Sequence, residues 1–171
     1  MIILVGGGSR SGKSRYALDT ARSRGSRLAF IATAQARDEE MAERVRLHRA
    51  DRGPGFTTFE EPLEVASLLL RETAPKVNYD AIVVDCLTLW VSNLMFAERD
   101  LAAESRALLE AAESNRAAVI LVTNEVGCGI VPENALARRF RDEAGRLNQL
   151  AAARAAEVYW MVFGVPLKVK G

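Results

Sequence analysis

Residues 1–24, MIILVGGGSRSGKSRYALDTARSR, decide the fold of this 171-residue chain. Ile2–Val5 is an uninterrupted apolar run, the pattern of a strand buried on both faces. Three glycines break it, and SGKSRYALDTARSR then has the composition of a helix. Inside the break, Gly7-Gly8-Ser9-Arg10-Ser11-Gly12-Lys13-Ser14 fits G-x-x-x-x-G-K-[ST] between strand and helix, the context in which that pattern is a phosphate loop. The chemistry needs these residue types. Glycines let backbone N–H groups curl around phosphate oxygens, Lys13 reaches the terminal phosphates, the Ser14 hydroxyl can ligate Mg2+, and the helix N-terminus adds its dipole. A chance Gly/Ser turn is the plain alternative, and the agreement of motif with context disfavours it.

Outward from that stretch, Leu28–Ala32 (LAFIA), Ala81–Asp85 (AIVVD) and Ala118–Thr123 (AVILVT) are further continuous apolar runs, and Phe56–Glu60 alternates as a strand does. Helical patterns separate them: Asp38–Arg52, a segment opened by Pro62 (LEVASLLLRE), the almost wholly apolar Cys86–Ala97, Leu101–Arg116 and the alanine- and arginine-rich Asn134–Ala156. Glu157–Phe163 and Val165–Val169, split by Gly164, read as a closing hairpin or as adjacent strands. Apolar strands alternating with helices require parallel crossovers and a sheet covered on both faces. The expected architecture is a P-loop (RecA-like), doubly wound α/β fold with a mostly parallel sheet, formed by one domain over residues 1–171 without repeat or linker.

Composition narrows the function. With 49% hydrophobic and 26% charged residues the chain can bury a core, which excludes disorder-based roles. The net charge of +1 argues against a nucleic-acid partner, but residues 1–52 hold 11 Lys/Arg against 6 Asp/Glu, so an anionic ligand should be met by the first third. The longest uncharged stretch, Cys86–Ala97, is too short and too polar for a membrane span, and the N-terminus lacks a basic signal region, so a cytoplasmic location is expected. Cys86 and Cys128 form no CxxC pair and are expected to be reduced and structural.

A phosphate loop works with an acid from another strand that holds magnesium directly or through water, and Asp85 at the end of AIVVD is the candidate. A helix cap or turn is the ordinary role for such an Asp. His48 is the single histidine; with Met41 and Val45 it continues an apolar stripe at i, i+4 and i+7. Arg44, Arg46, Arg49 and Arg52 flank it. Such a basic cluster disfavours the imidazolium and attracts phosphate, leaving the neutral ring that a nucleophile needs. A packed or surface histidine is the other reading, and these residues alone leave both open.

Taken together, GGGSRSGKSRYA, IATAQARDEEMAERVRLHRADR, TFEEPLEV, VVDCLTLWVSNLMF and VTNEVGCGIVPENALARRFRDEAGRLNQ resemble the bifunctional adenosylcobinamide kinase / adenosylcobinamide-phosphate guanylyltransferase family of cobalamin biosynthesis, essentially end to end. The resemblance implies phosphorylation of the aminopropanol hydroxyl of adenosylcobinamide from ATP or GTP, then transfer of GMP from GTP to adenosylcobinamide phosphate through a GMP–histidine link. That histidine falls on His48, beside Lys13 as the second catalytic residue. Nucleotide contacts fall on Gly7, Gly8, Ser9, Arg10, Ser11, Gly12, Lys13 and Ser14, on Ala32, Thr33 and Ala34, on Arg49, Ala50, Asp51 and Arg52, and on Glu60 and Asp85. Mg2+ falls on Ser14 and Asp85; Glu as well as Asp occurs at the latter position in the family. The resemblance also implies a homotrimer. The helix Cys86–Ala97 then packs either between subunits or wholly inside one. Asn124, Glu125 and Asn134, in or beside the loop Asn124–Glu133, either contact phosphates or the cobinamide arm or are turn and cap residues. Two other readings are a small-metabolite P-loop kinase with no covalent nucleotide and a P-loop switch or motor triphosphatase. The second would call for partner-binding regions or a basic patch that this near-neutral chain does not offer.

Overall fold

The computed structural model describes residues 1–35, 39, 43, 46, 52–72 and 78–171. Its strands are β1 (Ile2–Gly7), β2 (Leu28–Ala32), β3 (Phe56–Glu60), β4 (Ala81–Asp85), β5 (Ala118–Val122), β6 (Glu157–Val162) and β7 (Val165–Lys170). They form one seven-stranded sheet in the order β3-β2-β4-β5-β1-β6-β7. Every pairing is parallel except β6 with β7. The glycine-ended strand β1 therefore lies inside the sheet, with β5 between it and the acid-ended β4.

Helices α1 (Lys13–Arg22), α2 (Val65–Glu72), α3 (Leu87–Phe96), α4 (Leu101–Ser114) and α5 (Ala135–Arg154) supply the crossovers among the described residues. Alternate strand residues feed two cores. Ile2, Leu4, Ile31, Val84 and Leu121 pack on one face with Leu69, Trp90, Leu108 and Leu147 of α2, α3, α4 and α5. Ile3, Val5, Phe30, Val83 and Val122 pack on the other with Ala17, Leu18 and Ala21 of α1. Burial on both faces is why the central strands carry no polar alternation. At the sheet edges it ends: Thr57 and Thr58 of β3 and every residue of β7 are exposed.

Local signals explain the helix ends. The Asp100 carboxylate accepts from the amides of Ala102 and Ala103, and the Asn134 side chain accepts from Ala137 N, capping α4 and α5. Asn134 thus takes the cap role. Pro62 does not open α2 as its position suggested. Glu61 Oε1 instead accepts from the amides of Leu63 and Glu64, and the helix begins at Val65.

The helix α3 resolves its two readings toward the interior. Leu87, Trp90, Val91 and Leu94 are buried, and Trp90 Nε1 donates to Leu63 O at 2.9 Å. Only its last residue, Phe96, is a large exposed hydrophobic, so most of α3 is a central helix packed inside the chain. Most of the expected helix Asp38–Arg52, His48 included, lies outside the described residues; Glu39, Glu43, Arg46 and Arg52 are helical. Among the described residues no helix is long and apolar enough to cross a membrane.

Candidate functional site

The phosphate loop occupies the carboxyl end of β1, where open α/β sheets place ligands. Its glycines meet steric demands. Gly7 has φ 150°, and a methyl group there would sit 2.8 Å from Ser11 Oγ and 3.0 Å from Met161 O. Gly12, at φ 89°, turns the chain into α1 in a left-handed conformation that other residues adopt at a cost. Lys13 opens that helix and is only 7% exposed. Its ammonium folds back over the loop, donating to Gly8 O at 2.6 Å and to Ser11 Oγ at 3.5 Å. Burial lowers the Lys13 pKa, while the negative charge of Asp85 works against that shift. An anionic ligand in this loop would supply the counter-charge that Lys13 only partly finds in the protein.

Sheet register aligns the other strand-end candidates. Glu60 of β3 pairs with Ala32 of β2, Ala32 with Asp85 of β4, Asp85 with Val122 of β5, and Val122 with Val5 of β1. All lie on one row at the carboxyl edge. With neighbouring strands about 4.8 Å apart, Asp85 is roughly 10 Å from β1 and Glu60 roughly 19 Å. Asp85 stands within electrostatic reach of Lys13; Glu60 belongs to a second location. There, Arg52, Gly53, Thr58 and Glu60 line a cavity of about 380 Å³. Arg52 is 4% exposed, its guanidinium 4.0 Å from the Phe30 ring centroid, and its Nη1 donates to Thr58 Oγ1 at 3.4 Å. Arg22 Nη2 donates to its carbonyl at 3.1 Å, tying this location to α1.

Of the other expected contacts, Gly8, Ser9 and Arg10 are exposed on the loop, and Ser11, Gly12 and Ser14 are half-buried, as are Ala32 and Ala34 at the end of β2. Thr33 differs from its neighbours in burial. It is fully buried; its hydroxyl donates to Cys86 O and accepts from Cys86 N, both at 2.8 Å. Its amide donates to Asp85 O, and its carbonyl accepts from Asn93 Nδ2 at 2.8 Å. These bonds hold the end of β2 against the Asp85–Cys86 peptide. His48, Arg49, Ala50 and Asp51 lie outside the described residues.

A polar network went unforeseen. Asn124 Nδ2 donates to Thr88 Oγ1 at 2.7 Å, Thr88 Oγ1 lies 3.1 Å from Cys86 Sγ, and Asn148 Nδ2 donates to Asn124 O at 3.3 Å. Thr123 Oγ1 donates to Asn148 Oδ1 at 2.6 Å, and Glu125 N donates to Gly7 O at 3.2 Å. The start of the loop Asn124–Glu133 is thereby fastened to α3, α5 and the phosphate loop at once. The Glu125 carboxylate turns inward to Gly127 N, which makes it a turn residue. Asn148, an amide next to the buried Leu147 and near Ala144 and Ala151 of α5, was the sequence signal for this network. Burial and the Asp85 charge push the Cys86 thiol up to about 11, so it is neutral and structural, whereas Cys128 is exposed and has no packing role.

With the glycine loop, the buried lysine and the strand-end acid in place, the family can be assigned. The family model for cobinamide kinase / cobinamide phosphate guanyltransferase matches residues 3–169. The chain belongs to this family. It is 44% identical over 170 residues to the bifunctional adenosylcobalamin biosynthesis protein CobP of Pseudomonas aeruginosa, covering 98% of this chain and 96% of that one. To the bifunctional adenosylcobalamin biosynthesis protein CobU of Salmonella typhimurium it is 43% identical, with 99% of this chain and 100% of that one covered. The corresponding figure for CobU of Escherichia coli is 40%. A member of the cobinamide kinase / guanyltransferase family is a transferase, and the small-metabolite kinase reading is not favoured. Among solved structures, the RadB recombinase aligns with a TM-score of 0.50 at 20% identity, over 93% of this chain and 73% of that one, a likeness of fold. It agrees with the expected P-loop, RecA-like architecture.

Proposed function

We propose that this chain carries out both reactions of its family. It phosphorylates the aminopropanol hydroxyl of adenosylcobinamide with ATP or GTP. It then transfers GMP from GTP to adenosylcobinamide phosphate, giving adenosylcobinamide-GDP and pyrophosphate. The observation that carries the reading is the buried, charge-deficient Lys13 at the mouth of a glycine loop, in a chain matched to the family over residues 3–169.

In the kinase step the loop amides of Gly7–Ser14 would hold the β- and γ-phosphates while Lys13 offsets the charge that develops as the substrate hydroxyl attacks the γ-phosphorus. The Ser14 hydroxyl and the Asp85 carboxylate are hard oxygen donors suited to Mg2+, which keeps several waters and needs no cage of three protein acids. When bound there it would neutralise phosphate charge. In the second step neutral His48 would attack the α-phosphorus of GTP, expelling pyrophosphate. The resulting P–N bond is then broken by the phosphate oxygen of the substrate, which regenerates the imidazole. Arg52 and Glu60, with Arg49, Ala50 and Asp51 between His48 and Arg52, would receive the nucleotide in that step. The roughly 19 Å between Glu60 and the phosphate loop supports two nucleotide locations on one sheet edge, not a single shared one. We assign the assembly as a homotrimer in the cytoplasm. The exposed Val165, Leu167 and Val169 of β7, one apolar face of an edge strand, support self-association.

Incubation with α-labelled and γ-labelled GTP tests the reading. Acid-labile α-label retained on denatured wild-type protein and absent from His48→Ala, with kinase turnover surviving in that variant, is the expected result. No α-label on the wild type under any magnesium or pH condition would defeat the guanylylation half.

A further inference from the structure

The turn between β6 and β7 has one feature that neither packing nor the scaffold explains. Val162 pairs with Val165, so the turn consists of Phe163 and Gly164 alone, at φ 51° and 82°. Two positive φ values make a type I′ turn, whose first position favours Asn, Asp or Gly. A phenylalanine there is strained, since a bulky side chain in the left-handed region crowds its own backbone. Burial does not compensate, because Phe163 is 99% exposed. Strain of this kind, kept without a packing gain, points to a function for the side chain.

The turn also sits against the phosphate loop. A methyl group on Gly12 would lie 3.5 Å from the Gly164 Cα, and one on Gly7 would lie 3.0 Å from Met161 O of β6. Lys13 and Asp85 mark the opposite side, toward β5 and β4, as the place for the terminal phosphate. A triphosphate oriented by them leaves the loop with its sugar and base directed toward β6 and β7. There an exposed aromatic ring stands with no protein partner among the described aromatic contacts.

We propose that Phe163 is the platform on which the purine base of the kinase-step triphosphate stacks. This rests on the reading of Gly7–Ser14 as the triphosphate site. An aromatic face accepts adenine and guanine alike, in keeping with a kinase that uses ATP or GTP.

Kinase kinetics on the full chain test this, with inorganic tripolyphosphate as a competitor that has phosphates but no base. Phe163→Asn suits the turn better than the native residue, so its melting temperature should rise. Its KM for ATP and GTP should nevertheless increase about 5- to 100-fold, the range for loss of one base–aromatic stack, with kcat and the inhibition constant of tripolyphosphate unchanged. Phe163→Trp should keep the native KM, and its fluorescence should be quenched by ATP but not by tripolyphosphate. An unchanged KM in Phe163→Asn overturns the proposal. So does a parallel rise for nucleotide and tripolyphosphate, which would mean a distorted loop, or an effect confined to sedimentation, which would make Phe163 a contact between copies of the chain. A wild type that neither turns over nucleotide nor is inhibited by tripolyphosphate would overturn the phosphate-loop reading itself.

Discussion

The two ends of one register row, the phosphate loop on β1 and the Arg52–Glu60 cavity beside β3, are built in opposite ways. The loop is eight consecutive residues between a central strand and its helix, with a lysine buried over its own backbone. The cavity is assembled from an arginine stacked on Phe30 of β2 and from side chains of the edge strand β3. Central position gives the first a lysine withdrawn from water, where a single charge has large effects. The edge leaves the second more open, beside the exposed Thr57 and Thr58 of β3.

The sharpest way to break this contrast is to remove the buried charge. Lys13→Met should lower the kinase kcat about 10²- to 10³-fold, the usual loss of one preorganised electrostatic partner, while the melting temperature rises. The sign follows from the lowered pKa. The penalty for burying the ammonium is fully present below its folded-state pKa and disappears as pH rises past the unfolded value of about 10.4, so the thermal gain should shrink toward alkaline pH. A variant no more stable than wild type at neutral pH would contradict the account of Lys13.

A smaller effect should separate the two locations. Arg52→Ala removes the stack on Phe30 and the contact to Thr58, and should slow guanylyl transfer about 10- to 100-fold, a range typical of a lost hydrogen bond to a charged group. The kinase step, measured with γ-labelled nucleotide in the same preparation, should stay near the wild-type rate. Equal losses in both half-reactions would merge the two locations into one. The smallest effect concerns the fastening between α3 and the long loop. Asn124→Ala should cost about 1 kcal/mol, seen as a fall of about 2–4 °C in melting temperature for a chain of this size, because Thr88 Oγ1 loses its donor. Differential scanning calorimetry checks it.

Most of the fold was legible because the central strands β1, β2, β4 and β5 are short apolar runs, and two-sided burial leaves them no polar alternation. The start of α2 was misread because a proline near a helix start is a common signal, while the Glu61 side chain that binds the Leu63 and Glu64 amides is a contact that spacing does not reveal. The inward turn of the Thr33 hydroxyl was not legible for a related reason: it depends on the approach of the Asp85–Cys86 peptide, 53 residues away in sequence. The apolar helix α3 was open between subunit contact and core, since composition gives burial but not what covers each face.

What residue order determined by itself was the chemistry of contiguous residues: the phosphate loop, the acid ending AIVVD, the two strands at the end of the chain and the family. These depend on neighbours within a turn or two, where covalent connectivity sets the geometry. Tertiary structure alone decided strand order. It set β5 between the loop and Asp85, put Glu60 four strands from β1, and folded the Phe163–Gly164 turn against Gly12. Those distances arise from how apolar faces pack and strands register across long separations in sequence, which no local pattern encodes.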